Sequence, residues 1–183
     1  IYNSFGYWQP PGAQPVAPNL LGHYWRTVYD NRVLLLAGSG DAVAAVQRPD
    51  AKVKYFRADG SEKQHFSGTP AETLQPVAGG GWVYTTGEDE TETYDANGRL
   101  VALWDKKRLG RTLAYDVSGR LTSVTDARGR ALTLAYAGDT IANESTRTVT
   151  LTTPDGALTV YTIDGNGNLT QVTYPDGKSR QYK

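Results

Sequence analysis

The sequence contains no cysteine and no methionine, and only two histidines, His23 and His65. Without cysteine there is no disulfide framework, no thiolate nucleophile and no cysteine-based zinc site. The two histidines stand in separate segments, at no spacing that indicates a metal site or a triad. An excess of either charge is also missing, because 19 Lys and Arg balance 19 Asp and Glu. No global field therefore draws nucleic acid or an anionic membrane, and neither is expected as a partner. Apolar runs are short: Val33 to Ala37 has the length of one buried strand, against roughly 18 residues for a spanning helix. No membrane span is expected. The chain begins Ile1-Tyr2-Asn3-Ser4-Phe5, which reads as the middle of a strand rather than a signal peptide. It is expected to be a piece of something longer.

What is present is a repeat. Tyr94-Asp95-Ala96-Asn97-Gly98-Arg99-Leu100 recurs 21 residues later as Tyr115-Asp116-Val117-Ser118-Gly119-Arg120-Leu121. A further 21 residues bring Tyr136-Ala137-Gly138-Asp139, where the pattern degrades. It returns as Ile163-Asp164-Gly165-Asn166-Gly167-Asn168-Leu169, which places an insertion of about six residues near 140–146. The second half of each unit carries its own turn. Asp126-Ala127-Arg128-Gly129 aligns with Thr153-Pro154-Asp155-Gly156 and with Tyr174-Pro175-Asp176-Gly177. Such Asn-Gly and Asp-Gly pairs between β-favouring stretches are hairpin signals, because glycine takes the positive φ the turns need. Leu132, Leu134 and Tyr136 alternate with Thr133 and Ala135, a period of two. The expected fold is all-β, built of repeated antiparallel hairpins.

The leader, residues 1–90, repeats less clearly than the unit array of 91–183. Val53, Tyr55, Asp59-Gly60 and Phe66 read as a hairpin, and Trp82 to Thr86 as a strand. Tyr24 to Tyr29 and Val33 to Leu36 read as two strands around Asp30-Asn31, and Ala42 to Val46 as a helical turn. Pro10, Pro11, Pro15 and Pro18 disfavour a central strand and suggest a loop over the sheet. All four tryptophans precede residue 105, so the leader is expected to supply a capping layer for the array.

The Tyr-Asp-x-x-Gly-Arg-Leu units at a 21-residue interval resemble the YD repeats of Rhs proteins, also found in teneurins. The resemblance covers about Thr91 to Lys183. It implies a ribbon of hairpins that spirals into a hollow shell, which in bacterial members encloses a C-terminal polymorphic toxin delivered to competitor cells. The family's proline-rich cleavage motif and toxin tip have no counterpart in this sequence. The chain would then be a wall segment of a secreted or cell-surface protein, with the remaining repeats and the toxin cargo as its partners.

Site by site, packing accounts for most of the motifs. Tyr94, Tyr115 and Tyr136 are read as a core ladder across adjacent strands, rather than as a sugar-stacking row. Asp95, Asp116 and Asp164 are read as Asx-turn caps, with Leu100, Leu121 and Leu169 packing behind them. Gly98, Gly119, Gly129, Gly156, Gly167 and Gly177 are the turn glycines. Asp164 to Asn168 starts like a calcium loop, but Leu169 and Pro175 stand where Gly and Glu are required. Glu88-Asp89-Glu90-x-Glu92 is read as a solvated charged strand start, and Lys106-Lys107-Arg108-x-x-Arg111 as an exposed turn. Gly79-Gly80-Gly81 lacks the Lys-Ser/Thr of a phosphate loop. Asn143-x-Ser145 and Asn168-x-Thr170 fit the glycosylation pattern. No cofactor and no catalysis are expected. The alternative to a shell segment is an extracellular β-array that binds carbohydrate or a partner protein. Gln171 to Tyr174 and Ser179 to Lys183 are expected to form an open strand edge, available for self-association.

Overall fold

The computed structural model describes residues 13, 19–37, 40–50, 52–64, 67–138 and 146–182. They form an almost wholly β structure. A three-stranded antiparallel sheet has the order β1 (Arg32–Leu35), β2 (Ala42–Gln47), β3 (Val53–Arg57). An eleven-stranded antiparallel sheet runs in strict chain order: β4 (Thr73–Pro76), β5 (Trp82–Thr85), β6 (Thr91–Tyr94), β7 (Leu100–Trp104), β8 (Gly110–Tyr115), β9 (Leu121–Asp126), β10 (Ala131–Ala137), β11 (Arg147–Thr152), β12 (Leu158–Ile163), β13 (Leu169–Thr173) and β14 (Ser179–Gln181). The expected all-β array of hairpins is what the chain forms.

One local device closes the hairpins. In each five-residue turn the first N–H donates to the fifth C=O, and the fourth N–H donates to the first C=O. Asp95 to Arg99 shows both bonds, at 2.9 Å each. The same pair recurs in the turns that start at Val77, Thr86, Asp105, Asp116, Asp126, Thr153, Asp164 and Tyr174. The fourth residue sits at positive φ, which is why glycine holds that slot at 98, 119, 129, 156, 167 and 177. Arg108 (φ 61°) and Asp89 (φ 63°) take the same conformation without being glycine. Two such turns fit in 21 residues, and this is the physical origin of the period.

Packing divides the chain into two compact units, residues 28–112 and residues 113–182 with 19–27. In the first, β1 docks on the Asp95–Arg99 turn: the Val33 N–H donates to the Gly98 carbonyl at 2.9 Å. A Cβ on Gly98 would lie 2.0 Å from the Val33 oxygen, so only glycine permits this approach. Phe56 and Tyr84 meet edge to face with ring centroids 5.9 Å apart, inside a core that includes Val33, Leu34, Val46, Leu74, Tyr94 and Leu100. Ala42 to Val46 is not a helical turn. It lies inside β2, paired on both sides and buried almost throughout. A strand buried on both faces loses its alternation and mimics other apolar runs. Tyr24 to Tyr29 is not a strand either. The chain makes a 3-10 turn at Val28–Asp30 before β1. The hairpin expected at 53–66 is present as far as Lys63, whose N–H donates to the Tyr55 carbonyl at 2.7 Å, and Phe66 lies outside the described residues.

In the second unit the pairings Leu134↔Leu151, Tyr136↔Val149, Val149↔Tyr161 and Tyr161↔Val172 put these side chains on one face. Leu134, Val149, Ile163 and Val172 are buried there, while Thr133 on the opposite face is exposed. Tyr115, Tyr136 and Tyr161 are half-buried. Segment 19–27 packs on the last hairpins. The His23 N–H donates to the Gly167 carbonyl at 2.9 Å, and Trp25 meets Tyr182 edge to face at 5.2 Å. This docking replaces the strand expected for Tyr24 to Tyr29, since the backbone bonds a turn instead of a neighbouring strand. Of the four tryptophans, Trp25 packs on Tyr182, Trp82 and Trp104 lie within β5 and β7, and Trp8 falls outside the described residues. The prolines at 10, 11, 15 and 18 and, of the insertion near 140–146, residues 140–145 also fall outside them.

Candidate functional site

The repeated aspartates are hydrogen-bond hubs. Asp95 Oδ1 accepts from the backbone N–H of Asn97 and of Arg99, both at 2.9 Å. Its Oδ2 accepts from Arg99 Nε at 2.7 Å. Asp116 does the same with Ser118, Arg120 and the Arg120 guanidinium, and Asp126 with Arg128, Arg130 and the Arg130 guanidinium. Asp164 caps Asn166 and Asn168, and the Asn168 amide replaces the guanidinium at 3.2 Å. The Arg of the Tyr-Asp-x-x-Gly-Arg motif is thus the charge partner of its Asp, four residues away. The Arg120 N–H and then its guanidinium hold the Asp116 carboxyl below the ordinary carboxylate range. At Asp126 the order is reversed, with the Arg130 side chain contributing most. In Asp164 to Asn168 the carboxylate oxygens are engaged by the turn's own N–H groups.

The tyrosines do not form a ladder on adjacent strands. Tyr94 and Tyr115 end β6 and β8, and Tyr136 is the last residue but one of β10, so one strand separates each from the next. A 21-residue period spans two strands, and this sets the spacing. Tyr94 is 1% exposed, whereas Tyr136 is half-buried and donates its hydroxyl to the Leu121 carbonyl at 2.7 Å.

Glu92 departs furthest from the reading as a solvated strand start. Glu88, Asp89 and Glu90 are exposed in a turn, but Glu92 is 4% exposed. Its carboxylate accepts from Arg48 Nη1 at 2.6 Å, from Asn31 Nδ2 at 3.0 Å and from the Tyr94 hydroxyl. Alternation along Thr91-Glu92-Thr93-Tyr94 carries the signal, because residues 92 and 94 share the inward face. A second carboxylate, Glu72, accepts the Tyr84 hydroxyl and pairs with Lys54 Nζ at 2.6 Å. Burial alone would raise the Glu72 pKa, but Lys54 and Tyr84 outweigh it and leave the group lowered. Burial, aided by Glu92, pushes the Tyr94 phenol well above its ordinary value. Both carboxylates are held by cations and phenols, an arrangement that pins β2 and β3 to β4, β5 and β6.

An open cleft of about 740 Å³ lies beside this network, lined by Lys54, Tyr55, Glu62, Glu72, Glu88 and Glu90 among others. Among the described residues no three His, Cys, Asp or Glu side chains converge as a metal site. Lys106, Lys107 and Arg108 occupy an exposed turn capped by Asp105. Gly79, Gly80 and Gly81 form the turn between β4 and β5, all at positive φ. His65 and the sequon at Asn143 lie outside the described residues, and Asn168 of the other sequon is bonded to Asp164. No helix among the described residues is long and apolar enough to cross a membrane.

No curated protein matches the sequence. The RHS Repeat family matches at residues 94–131, 115–138 and 143–182, the stretch that carries the capped turns and the alternating strands. Through residues 94–182 the chain belongs to the RHS-repeat family.

Proposed function

We propose that the chain is a non-catalytic wall segment of a larger, secreted or cell-surface RHS-repeat protein. In that protein the sheet spirals into a shell around a C-terminal toxin used in competition between bacteria. The observation that supports this reading is the turn device. Because the hairpins of the eleven-stranded sheet other than β10–β11 are each closed by their own five residues, the sheet extends by adding the same unit to its last strand. That last strand is β14. Pairing Val172↔Arg180 turns the backbone groups of Ser179 and Gln181 away from β13, toward the side where a further repeat would pair. The carboxylates best placed for chemistry, Glu72 and Glu92, are engaged in holding the fold.

The test is hydrogen exchange at Ser179 and Gln181, with sedimentation across a concentration series. Fast exchange in the isolated chain, suppressed when the parent's following segment is added, is the expected result. Slow exchange in a chain that stays monomeric would mean a capped edge and a closed domain. A second reading, an extracellular array that binds carbohydrate or a partner protein, is favoured by Tyr174, an aromatic ring that is 42% exposed. Binding of a glycan that is lost in Tyr174→Ala would decide for it.

A further inference from the structure

In four of the turns the charges are paired in place: Asp95 with Arg99, Asp116 with Arg120, Asp126 with Arg130 and Asp176 with Lys178. Two turns differ. Thr86 to Glu90 carries Glu88, Asp89 and Glu90 and no cation, while Asp105 to Leu109 carries Lys106, Lys107 and Arg108 against one aspartate. All six of these charged side chains are exposed, and none makes a hydrogen bond or ion pair with the described residues. The same two turns hold a residue other than glycine at positive φ, Asp89 at 63° and Arg108 at 61°. A charged side chain is kept there at the expense of backbone strain.

Their positions make one surface. The strands β5, β6, β7 and β8 are consecutive antiparallel neighbours, so the β5–β6 and β7–β8 turns leave the same edge of the sheet. They stand two strands, or about 10 Å, apart. The acidic turn also borders the open cleft of about 740 Å³, whose lining includes Glu88 and Glu90 together with Val53, Tyr55 and Pro70. Both cations of that lining are committed, Lys54 to Glu72 at 2.6 Å and Lys52 to Asp50 at 2.9 Å. The basic turn ends on Leu109, 61% exposed, in the slot where Arg99, Arg120 and Arg130 stand in other turns. It thus presents an apolar side chain beside its three cations.

We propose that this edge binds a second copy of the chain, the basic turn of each copy entering the cleft beside the acidic turn of the other. A surface that carries both halves of a complementary pair matches itself about a two-fold axis. A different protein would have to match both turns at their spacing, whereas a copy already does. Lys106, Lys107 and Arg108 then meet the acidic turn of the other copy, and Leu109 leaves water for the apolar part of its cleft. The contact is made by turn tips and is separate from the open strand β14.

The test is equilibrium sedimentation of the full chain over a concentration series, at about 0.02 M and about 0.5 M salt. The expected result is a reversible dimer at low salt whose dissociation constant rises about tenfold or more at high salt. The double variant Glu88→Lys, Glu90→Lys and the double variant Lys106→Glu, Lys107→Glu should each be monomeric where the unsubstituted chain is dimeric. Each then carries two turns that no longer complement one another. An equimolar mixture of the two should dimerise again, because each supplies the charge that the other lacks. A chain that stays monomeric at low salt would overturn the proposal. Association that withstands both salt and the charge reversals would belong to the β14 edge and overturn it as well. So would a mixture that stays monomeric while the β5 to β8 amide shifts of both variants remain those of the unsubstituted chain. The salt series decides the point even for a variant that fails to fold.

Discussion

Gly98 and Gly129 hold the same turn slot at nearly the same φ, 75° and 79°, yet their surroundings differ completely. A Cβ on Gly129 would meet nothing within 4 Å, so Gly129→Ala isolates the backbone cost of a left-handed residue, about 1–2 kcal/mol. A Cβ on Gly98 would lie 2.0 Å from the Val33 carbonyl oxygen, which belongs to backbone and cannot rotate away. Relieving that overlap shifts β1 from the turn at roughly 1–3 kcal/mol. It also threatens the bond from the Val33 N–H to the Gly98 carbonyl, about 1 kcal/mol more. Gly98→Ala should therefore exceed Gly129→Ala by about 2–4 kcal/mol. Arg108→Gly, in the slot where a side chain is already strained, should stabilise by about 1 kcal/mol. Urea unfolding read through the amide exchange of each unit measures all three. Equal losses at 98 and 129 would refute the docking of β1 on the turn.

Leu134, 7% exposed between β9 and β11, should cost about 2–5 kcal/mol on truncation to alanine. A loss within about 0.5 kcal/mol would place it on the solvent face. Arg48→Met should destabilise residues 28–112 by about 2–4 kcal/mol, because Glu92 keeps a buried charge without its cation; the full cost of a broken buried pair is reduced because the Arg48 side chain is 23% exposed. A neutral result in urea unfolding would mean that Asn31 and Tyr94 suffice for Glu92. Asp116, with its folded pKa below the unfolded value near 3.8, contributes stability that is complete above that pH and lost as pH falls through the folded pKa. Carboxyl NMR titration of Arg120→Gln, which keeps the backbone N–H, should show the Asp116 pKa move upward, and no movement would remove the Arg120 guanidinium as a cause.

The turns were legible because glycine marks the left-handed slot at 98, 119, 129, 156, 167 and 177. The turns at Thr86 and Asp105 close by the same bonds but were harder to read, since Asp89 and Arg108 bear the strain in place of glycine. The capping aspartates recur at a fixed interval that the sequence displays, while the role of Arg99, Arg120 and Arg130 as ion partners of Asp95, Asp116 and Asp126 emerges only in three dimensions. Glu92 was misread because charge counts describe neighbours in sequence, and its cation, Arg48, lies 44 residues away. Ala42 to Val46 was misread because burial on both faces erases the period of two. The docking of segment 19–27 on Gly167 has no sequence signal, since a backbone bond between two glycine-containing segments needs no distinctive side chain.

The alternation of turns along the sheet also limits how such a chain can grow by gene duplication. Each strand reverses the direction of the chain, so copying a single hairpin arm would send every later strand the opposite way and present its polar side to the core. Copying two arms restores both direction and face. Turns that begin at Asp95, Asp105, Asp116 and Asp126 show the pair of arms to be 21 residues long, the interval between Tyr94 and Tyr115. The repeat length is thus the smallest segment that can be copied or deleted in register without turning the rest of the sheet inside out. Arrays of this kind should therefore differ in length by whole pairs of strands.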